Sequence, residues 1–341
     1  MFKNLYKKIK IFTFLSLFIF ISSFSQSRSL PDSDVFKKHK ISGIEEIYRG
    51  HEKIVYEVEK NGERYACLYF VPNYKNLGRH VEKFKIELDF FKKFKHRNIL
   101  SFVDAISEND TCFILTELAD DSLINYIDVN KDIPFLTKIK ILKDIALGLE
   151  YLHSTNMVHC DLKPENVVIF KNDDQVTAKL IDFTYSKEEG LYSYVGGTAR
   201  YMAPENLQEI LKMYSQGSLN LEVTTRSDIF SFGLIMYVLF YKKDLDDRLR
   251  RLLIMDGYDG RYLQLKFNDK RFFKYICKYI STLKRGLLPF FTSDENDDDI
   301  FNVNDLIKRC LAYDPEKRPT ASEILEELEL IEKKFLSEVR N

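Results

Sequence analysis

The chain has 341 residues, 45% hydrophobic and 30% charged, which is the composition of a globular protein with room for one large or two smaller domains. A formal net charge of −1 gives no overall pull towards nucleic acid, so no nucleic-acid partner is expected. The five cysteines (Cys67, Cys112, Cys160, Cys277 and Cys310) include no pair at a zinc-ligand spacing. They read as buried small hydrophobes of a reducing compartment. With no Trp but 20 Tyr and 27 Phe, the core is built largely from rings.

At the N-terminus, Lys3, Lys7, Lys8 and Lys10 precede an apolar run, IFTFLSLFIFISSF, at residues 11–24, and a polar SQSRS follows. A basic stretch, a short apolar stretch and small residues (Ser23, Ser25) predict a secretory leader over 1–25. The run is short for a membrane span. Uncleaved, it would anchor the chain, with the N-terminus in the cytosol and the remainder across the membrane. Either outcome implies the secretory pathway, secreted or membrane-anchored, against the reducing character of the cysteines. One glycosylation sequon, Asn109-Asp110-Thr111, lies in a predicted turn. Residues 26–40 are Ser-rich and then charged, and read as a linker, with the fold starting near Ile41.

Residues 44–58 and 63–71 are β-rich runs joined by Asn61-Gly62, the favoured two-residue hairpin turn. That turn sets a register: Lys60 faces Glu63, Val58 faces Tyr65, Val55 faces Leu68 and Lys53 faces Phe70. Lys53, Val55 and Leu68 then share one face, with Lys53 diagonal to Leu68 at about 7–8 Å, within a lysine's reach. Residues 80–95 form an amphipathic helix with Val81, Phe84, Leu88 and Phe91 on one side. Strands follow at 99–106 and 112–118. A long helix over 135–154 carries Ile139, Leu142, Ile145, Ala146, Leu149 and Leu152 on one buried face. It leads into HCDLKPENVVI, residues 159–169. There a carboxylate (Asp161) can accept a proton from an attacking hydroxyl. A cation two residues on (Lys163) can meet phosphate charge, and a carboxamide (Asn166) can hold magnesium, so the chemistry suggested is phosphoryl transfer. VTAKLID at 176–182 is a further strand. RSDIFSFGLIMYVLF at 227–241 is a buried helix, and helices near 303–312 and 320–335 close the chain. Residues 242–300 are basic-aromatic and end in an acidic run, 294–299, that reads as a solvated loop or a site for a basic partner.

The 159–169 stretch resembles the catalytic loop of eukaryotic protein kinases, and Lys163-Pro164-Glu165 resembles their serine/threonine branch. Further motifs of that family stand in order, and the resemblance covers about residues 44–335. It implies an α+β, bilobal fold: a small β-rich N-lobe with one helix at 41–118 and a larger, mostly helical C-lobe at 119–337. It also implies ATP and Mg as cofactors and protein substrates with Ser/Thr hydroxyls. The implied roles are Asp161 as base, Lys163 on the transferred phosphate, and Asn166 and Asp182 on the metal. Glu87 would pair with the phosphate-gripping lysine. CFILTELAD at 112–120 resembles the hinge, with Thr116 as gatekeeper and the Glu117 and Ala119 backbones on adenine. Gly50, Val55, Ala66 and Val168 would complete the nucleotide pocket. In GGTARYMAPE, Thr198 would support Asp161 and Lys163, while Glu205 would pair with Arg318 and Asp228 would hold the catalytic-loop backbone.

The departures are specific. Two residues after Ala66 the family's lysine is Leu68. Of the three loop glycines only Gly50 remains, with Tyr48 and Lys53 in the outer places. RGHEKIVYE resembles the with-no-lysine kinases, in which a lysine at the third-glycine position replaces the missing one; Lys53 would be that lysine. Cys160 replaces the arginine that receives an activation-segment phosphate, which predicts activity independent of such phosphorylation. Thr184 replaces the glycine of Asp-Phe-Gly and makes that backbone stiffer. Ser186, Tyr192, Ser193 and Tyr194 of the activation segment are all modifiable. Two readings stay open: an active kinase using Lys53, or a pseudokinase that acts by docking to other proteins, favoured by Leu68, Thr184 and the lost glycines.

Overall fold

The structure is a computed structural model, and it describes residues 33–50, 53–72, 78–108, 110–173, 175–192, 197–216, 222–241, 280–281 and 303–339. The leader at 11–24, Asn109, Ser193, Tyr194, the acidic run and, apart from Ile280 and Ser281, the basic-aromatic stretch lie outside them. Among the described residues, no helix is long and apolar enough to cross a membrane.

The stretch read as a linker contains a helix, α1 (Ser33–Lys38). Two apolar residues in a charged run are too few to show a period, so sequence pattern misses it. Val35 and Phe36 are nonetheless buried, and the Phe36 ring stacks on Phe113 at 4.8 Å. Lys38 and His39 both meet the Glu108 carboxylate. The first packed element therefore precedes Ile41.

Five antiparallel strands follow: β1 (Ile41–Arg49), β2 (Lys53–Lys60), β3 (Glu63–Phe70), β4 (Phe102–Glu108) and β5 (Thr111–Glu117). They are ordered β1-β2-β3-β5-β4, with α2 (Arg79–Lys93) inserted between β3 and β4. The β2–β3 turn has Asn61 at φ 57° and Gly62 at φ 83°, the paired positive φ of a two-residue hairpin. Its register is the one expected: Lys60–Glu63, Val58–Tyr65, Val55–Leu68 and Lys53–Phe70. One sheet face packs under α1 through Ile54, Tyr56, Val58, Cys67 and Leu115. The other packs against α2 through Phe70 and Phe84.

After β6 (Asp121–Ser122) and α3 (Leu123–Val129), the chain becomes mainly helical. α4 (Phe135–Ser154) buries the predicted face. β7 (Met157–Val158), β8 (Val167–Asn172), β9 (Gln175–Leu180) and β10 (Lys187–Glu188) form two small sheets, β6-β8-β9 and β10-β7. Among the described residues, α5 (Pro204–Gln216), α6 (Thr225–Tyr241), α7 (Val303–Cys310) and α8 (Ala321–Val339) form the rest of the larger lobe. α6 is buried from Ser227 to Leu239, and apart from Ser227, Asp228 and Ser231 that stretch is apolar. Arg318 is fully buried and donates two hydrogen bonds to Glu205, at 2.6 and 2.8 Å, tying the segment before α8 to the start of α5. One continuous core runs from Phe70 and α2 through α4 to α8. Cys67, Cys112, Cys160 and Cys310 are buried free thiols.

Candidate active site

The segment after β7 is fixed from below. Cys160 has φ 67°, a left-handed backbone that costs energy for a side-chain-bearing residue. The buried Asp228 of α6 stabilises it, accepting from the amides of His159 (2.7 Å) and Cys160 (3.0 Å) and meeting His153 Nε2 at 3.0 Å. The His159 ring links two strands of the site. Its Nε2 meets the Ile181 carbonyl at 3.0 Å and its Nδ1 accepts from the Asp161 amide at 3.3 Å, which fixes the Nε2–H tautomer.

Asp161 is thereby aimed and nearly buried. Oδ1 accepts from the Thr198 amide at 2.8 Å; Oδ2 accepts from Lys163 Nζ at 2.9 Å and Asn166 Nδ2 at 3.1 Å. Lys163 Nζ also donates to Thr198 Oγ1 at 2.7 Å. The approach of residues 197–198 needs a glycine: Gly197 has φ 124°, and a Cβ there would sit 2.8 Å from the Cys160 carbonyl. Oδ2 is filled by its two donors, whereas Oδ1 accepts a single bond and keeps a lone pair to which an acceptor hydroxyl can donate.

Asn166 closes a 3₁₀ turn (Pro164–Asn166), with its carbonyl accepting from the Ile181 amide at 3.0 Å, so Asn166 and Asp182 are held side by side. The Asn166 amide nitrogen is engaged by the Asp161 carbonyl at 2.8 Å, which leaves its oxygen as a ligand. A carboxamide oxygen beside a carboxylate is a hard, all-oxygen donor pair, and it suits magnesium. Asp182 takes φ 62°, and Phe183 is fully buried, stacked on Phe90 at 3.8 Å. The left-handed residue is therefore Asp182. Thr184 has no positive φ, so its β-branch meets no backbone conflict.

Lys53 reaches this aspartate from β2. Its Nζ lies 2.7 Å from Glu87 Oε2, 3.1 Å from Glu87 Oε1 and 2.7 Å from Asp182 Oδ1. Glu87 is fully buried on the apolar face of α2. Burial alone would lower the lysine's affinity for its proton, but Asp182 and Glu87 outweigh it and hold Lys53 well above its ordinary value. Burial likewise works to raise Asp182, and Lys53 overrides it, keeping the carboxyl well below the usual range. For Glu87 burial dominates and moves it upward against the pull of Lys53.

The other candidate residues lie in or beside β1, β2, β3, β5 and β8. Gly50 turns the chain between β1 and β2, its amide on the Lys53 carbonyl at 2.9 Å. Val55 lies opposite Leu68, and Ala66 opposite the buried Thr116. Val168 in β8 and Leu68 in β3 are both half-buried against the main core. The Glu117 amide already donates to the Ser101 carbonyl at 3.1 Å, and its carboxylate is bound by Lys179 at 2.6 and 2.8 Å. The Glu117 carbonyl accepts from Thr116 Oγ1 at 3.2 Å, and a carbonyl oxygen has a second lone pair that could serve a ligand. Ala119 is half-exposed just beyond it.

Three features escaped sequence reasoning. Thr184 Oγ1 lies 2.8 Å from Asp182 Oδ1 and 3.2 Å from Glu87 Oε2. Arg200 pairs with Glu165. Cys160 sits in an apolar cluster with Val158, Val223 and Tyr185. The first two join residues far apart in the chain, which no local pattern encodes. The cluster was foreshadowed only by the loss of the arginine at 160.

A family model described as "Protein kinase domain" matches residues 44–328. Among curated relatives, a "Probable serine/threonine-protein kinase" of Dictyostelium discoideum is 29% identical over 71% of this chain and 49% of its own length. A "Dual specificity protein kinase shkA" of the same organism is 30% identical over 73% of this chain and 41% of its own. The "Raf homolog serine/threonine-protein kinase" of Caenorhabditis elegans is 28% identical over 72% and 27%. The chain thus spans about half, or less, of the length of these relatives. The matched span takes in both lobes and every residue of the site, and the chain belongs to the protein kinase family.

Proposed function

We propose that the chain is an active serine/threonine protein kinase that transfers the γ-phosphate of ATP to protein hydroxyls, with Lys53 in the role of the missing strand lysine. The observation that carries this reading is the position of Lys53 Nζ, 2.7 Å from both Glu87 and Asp182 and rooted on the same sheet face as Leu68. Asp161 orients the acceptor hydroxyl and takes its proton as the oxygen attacks the γ-phosphorus. The bond from that phosphorus to the β–γ bridging oxygen breaks, leaving ADP. Lys163 steadies the transferred group, and Lys53 grips the α- and β-phosphates. Magnesium, held by Asn166 and Asp182, would neutralise charge on the phosphate oxygens. Adenine is bound by the Glu117 carbonyl and the Ala119 backbone.

A second reading, a pseudokinase that works by docking, draws on Leu68 and on Tyr48, which stands exposed in an outer-glycine place. One experiment separates them. Labelled γ-phosphate is followed from Mg·ATP to generic acceptor proteins and to the chain itself, with Asp161→Asn as control. Transfer that vanishes in the control supports the kinase; no transfer, with Mg·ATP still raising the melting temperature, supports the nucleotide-binding scaffold. The basic-apolar leader supports a secretory or membrane-anchored location, which a fluorescent tag on chains with and without residues 1–25 tests.

A further inference from the structure

Asp182, Phe183, Thr184 and Tyr185 run along one face of α2, and each meets a different part of it. Asp182 reaches Glu87 through the shared Lys53 ammonium. Phe183 stacks on Phe90 and meets Phe91 edge-on, with ring centroids 6.0 Å apart. Tyr185 lies beneath the Lys83 ammonium, 5.3 Å from its ring centre. Between them, the Thr184 hydroxyl occupies the middle of the charged cluster, 2.8 Å from Asp182, 3.2 Å from Glu87 and 3.3 Å from Lys53 Nζ.

The electrostatics of this cluster call for such a group. Two carboxylates converge on one ammonium, so each is drawn to Lys53 and repelled by the other. A hydroxyl between them accepts from the lysine and donates to a carboxylate, offsetting part of that repulsion with charge-assisted hydrogen bonds. A glycine at 184 supplies no donor. Lys53 also needs fixing more than a mid-strand lysine would, because it is the first residue of β2 and reaches Asp182 from a neighbouring strand of the sheet.

We propose that Thr184 is a positioning residue: its hydroxyl locks Lys53, Glu87 and Asp182 together and holds α2 in its docked place before nucleotide arrives. This rests on the kinase reading for its consequence in catalysis, but not for the lock itself. The test uses the full chain with Thr184→Val, which keeps the shape and removes the hydroxyl, and Thr184→Ser, which keeps the hydroxyl. Without nucleotide, amide hydrogen exchange in residues 83–91 should quicken about tenfold in Thr184→Val, the size expected for a lost hydrogen bond to a charged group, and stay at the wild-type rate in Thr184→Ser. In the transfer assay, kcat/KM for Mg·ATP should fall about tenfold in Thr184→Val and recover in Thr184→Ser, with KM for the protein acceptor unchanged. Equal exchange in wild type and Thr184→Val would overturn the proposal. So would a Thr184→Ser variant as impaired as Thr184→Val, which would make the role one of shape. A wild type without transfer but with the exchange pattern as expected would defeat the kinase reading and leave the lock standing.

Discussion

In the catalytic loop each functional side chain is held at its root, whereas Lys53 is held at its tip. Asp161 depends on a left-handed Cys160, on Asp228 beneath two consecutive amides and on a glycine at 197. Moving any one of these shifts the carboxylate. Lys53 contributes a charge at the end of a long flexible arm, and Glu87, Asp182 and Thr184 define where that charge rests. A group set by backbone geometry cannot migrate along the sequence; a group set by its tip can, provided another position on the same sheet face reaches the same point. On the proposed function, that difference would account for Asp161 and Asn166 standing in their usual places while position 68 holds leucine.

The largest effect is expected at the root-held group. Asp161→Asn keeps the shape of the carboxylate and removes its basicity, so phosphate transfer should drop about 10²–10⁴-fold, the range for loss of a positioned base. Stopped-time assays with labelled ATP check this; a drop below tenfold would remove Asp161 from the chemistry. Next in size is a control for what lies outside the site. Phe36→Ala in α1 should cost about 3–5 kcal/mol of stability by denaturant titration, as for other buried rings. Turnover per folded molecule should be unchanged, and a cost under about 1 kcal/mol would mean that α1 does not pack as described. The smallest expected effect concerns the apolar setting of Cys160. With Cys160 in the place of a phosphate-binding arginine and packed among Val158, Val223 and Tyr185, phosphatase treatment should leave transfer within about twofold of the untreated chain, a change of roughly 0.4 kcal/mol in barrier. A larger loss would place a phosphate receiver elsewhere.

What the sequence made legible follows the same division. The catalytic loop, α4 and α6 declared themselves by motif and period, because local chemistry fixes local backbone. The β2–β3 register followed from Asn61-Gly62, since a two-residue turn leaves one pairing. From that register the face shared by Lys53 and Leu68 could be deduced. By contrast, α1 lay hidden in a charged stretch, because Val35 and Phe36 gain their burial from Phe113, far along the chain. Thr184 looked like a liability on local grounds. Its cost was expected from a φ that Asp182 adopts instead, and beside its bond to Asp182 its hydroxyl meets residues 97 and 131 positions away.

On the proposed function, the charge of Lys53 does the work normally done from position 68. The measurement that bears on this first is kcat/KM for Mg·ATP in Lys53→Met, Leu68→Lys and the double variant, beside wild type. Lys53→Met should fall by about 10²–10³-fold, as when a fixed electrostatic stabiliser is lost. Adding Leu68→Lys should restore a substantial part, because the new lysine reaches the same pair of carboxylates. Full turnover in Lys53→Met would instead rule Lys53 out and return the phosphate-gripping role to a group not yet identified.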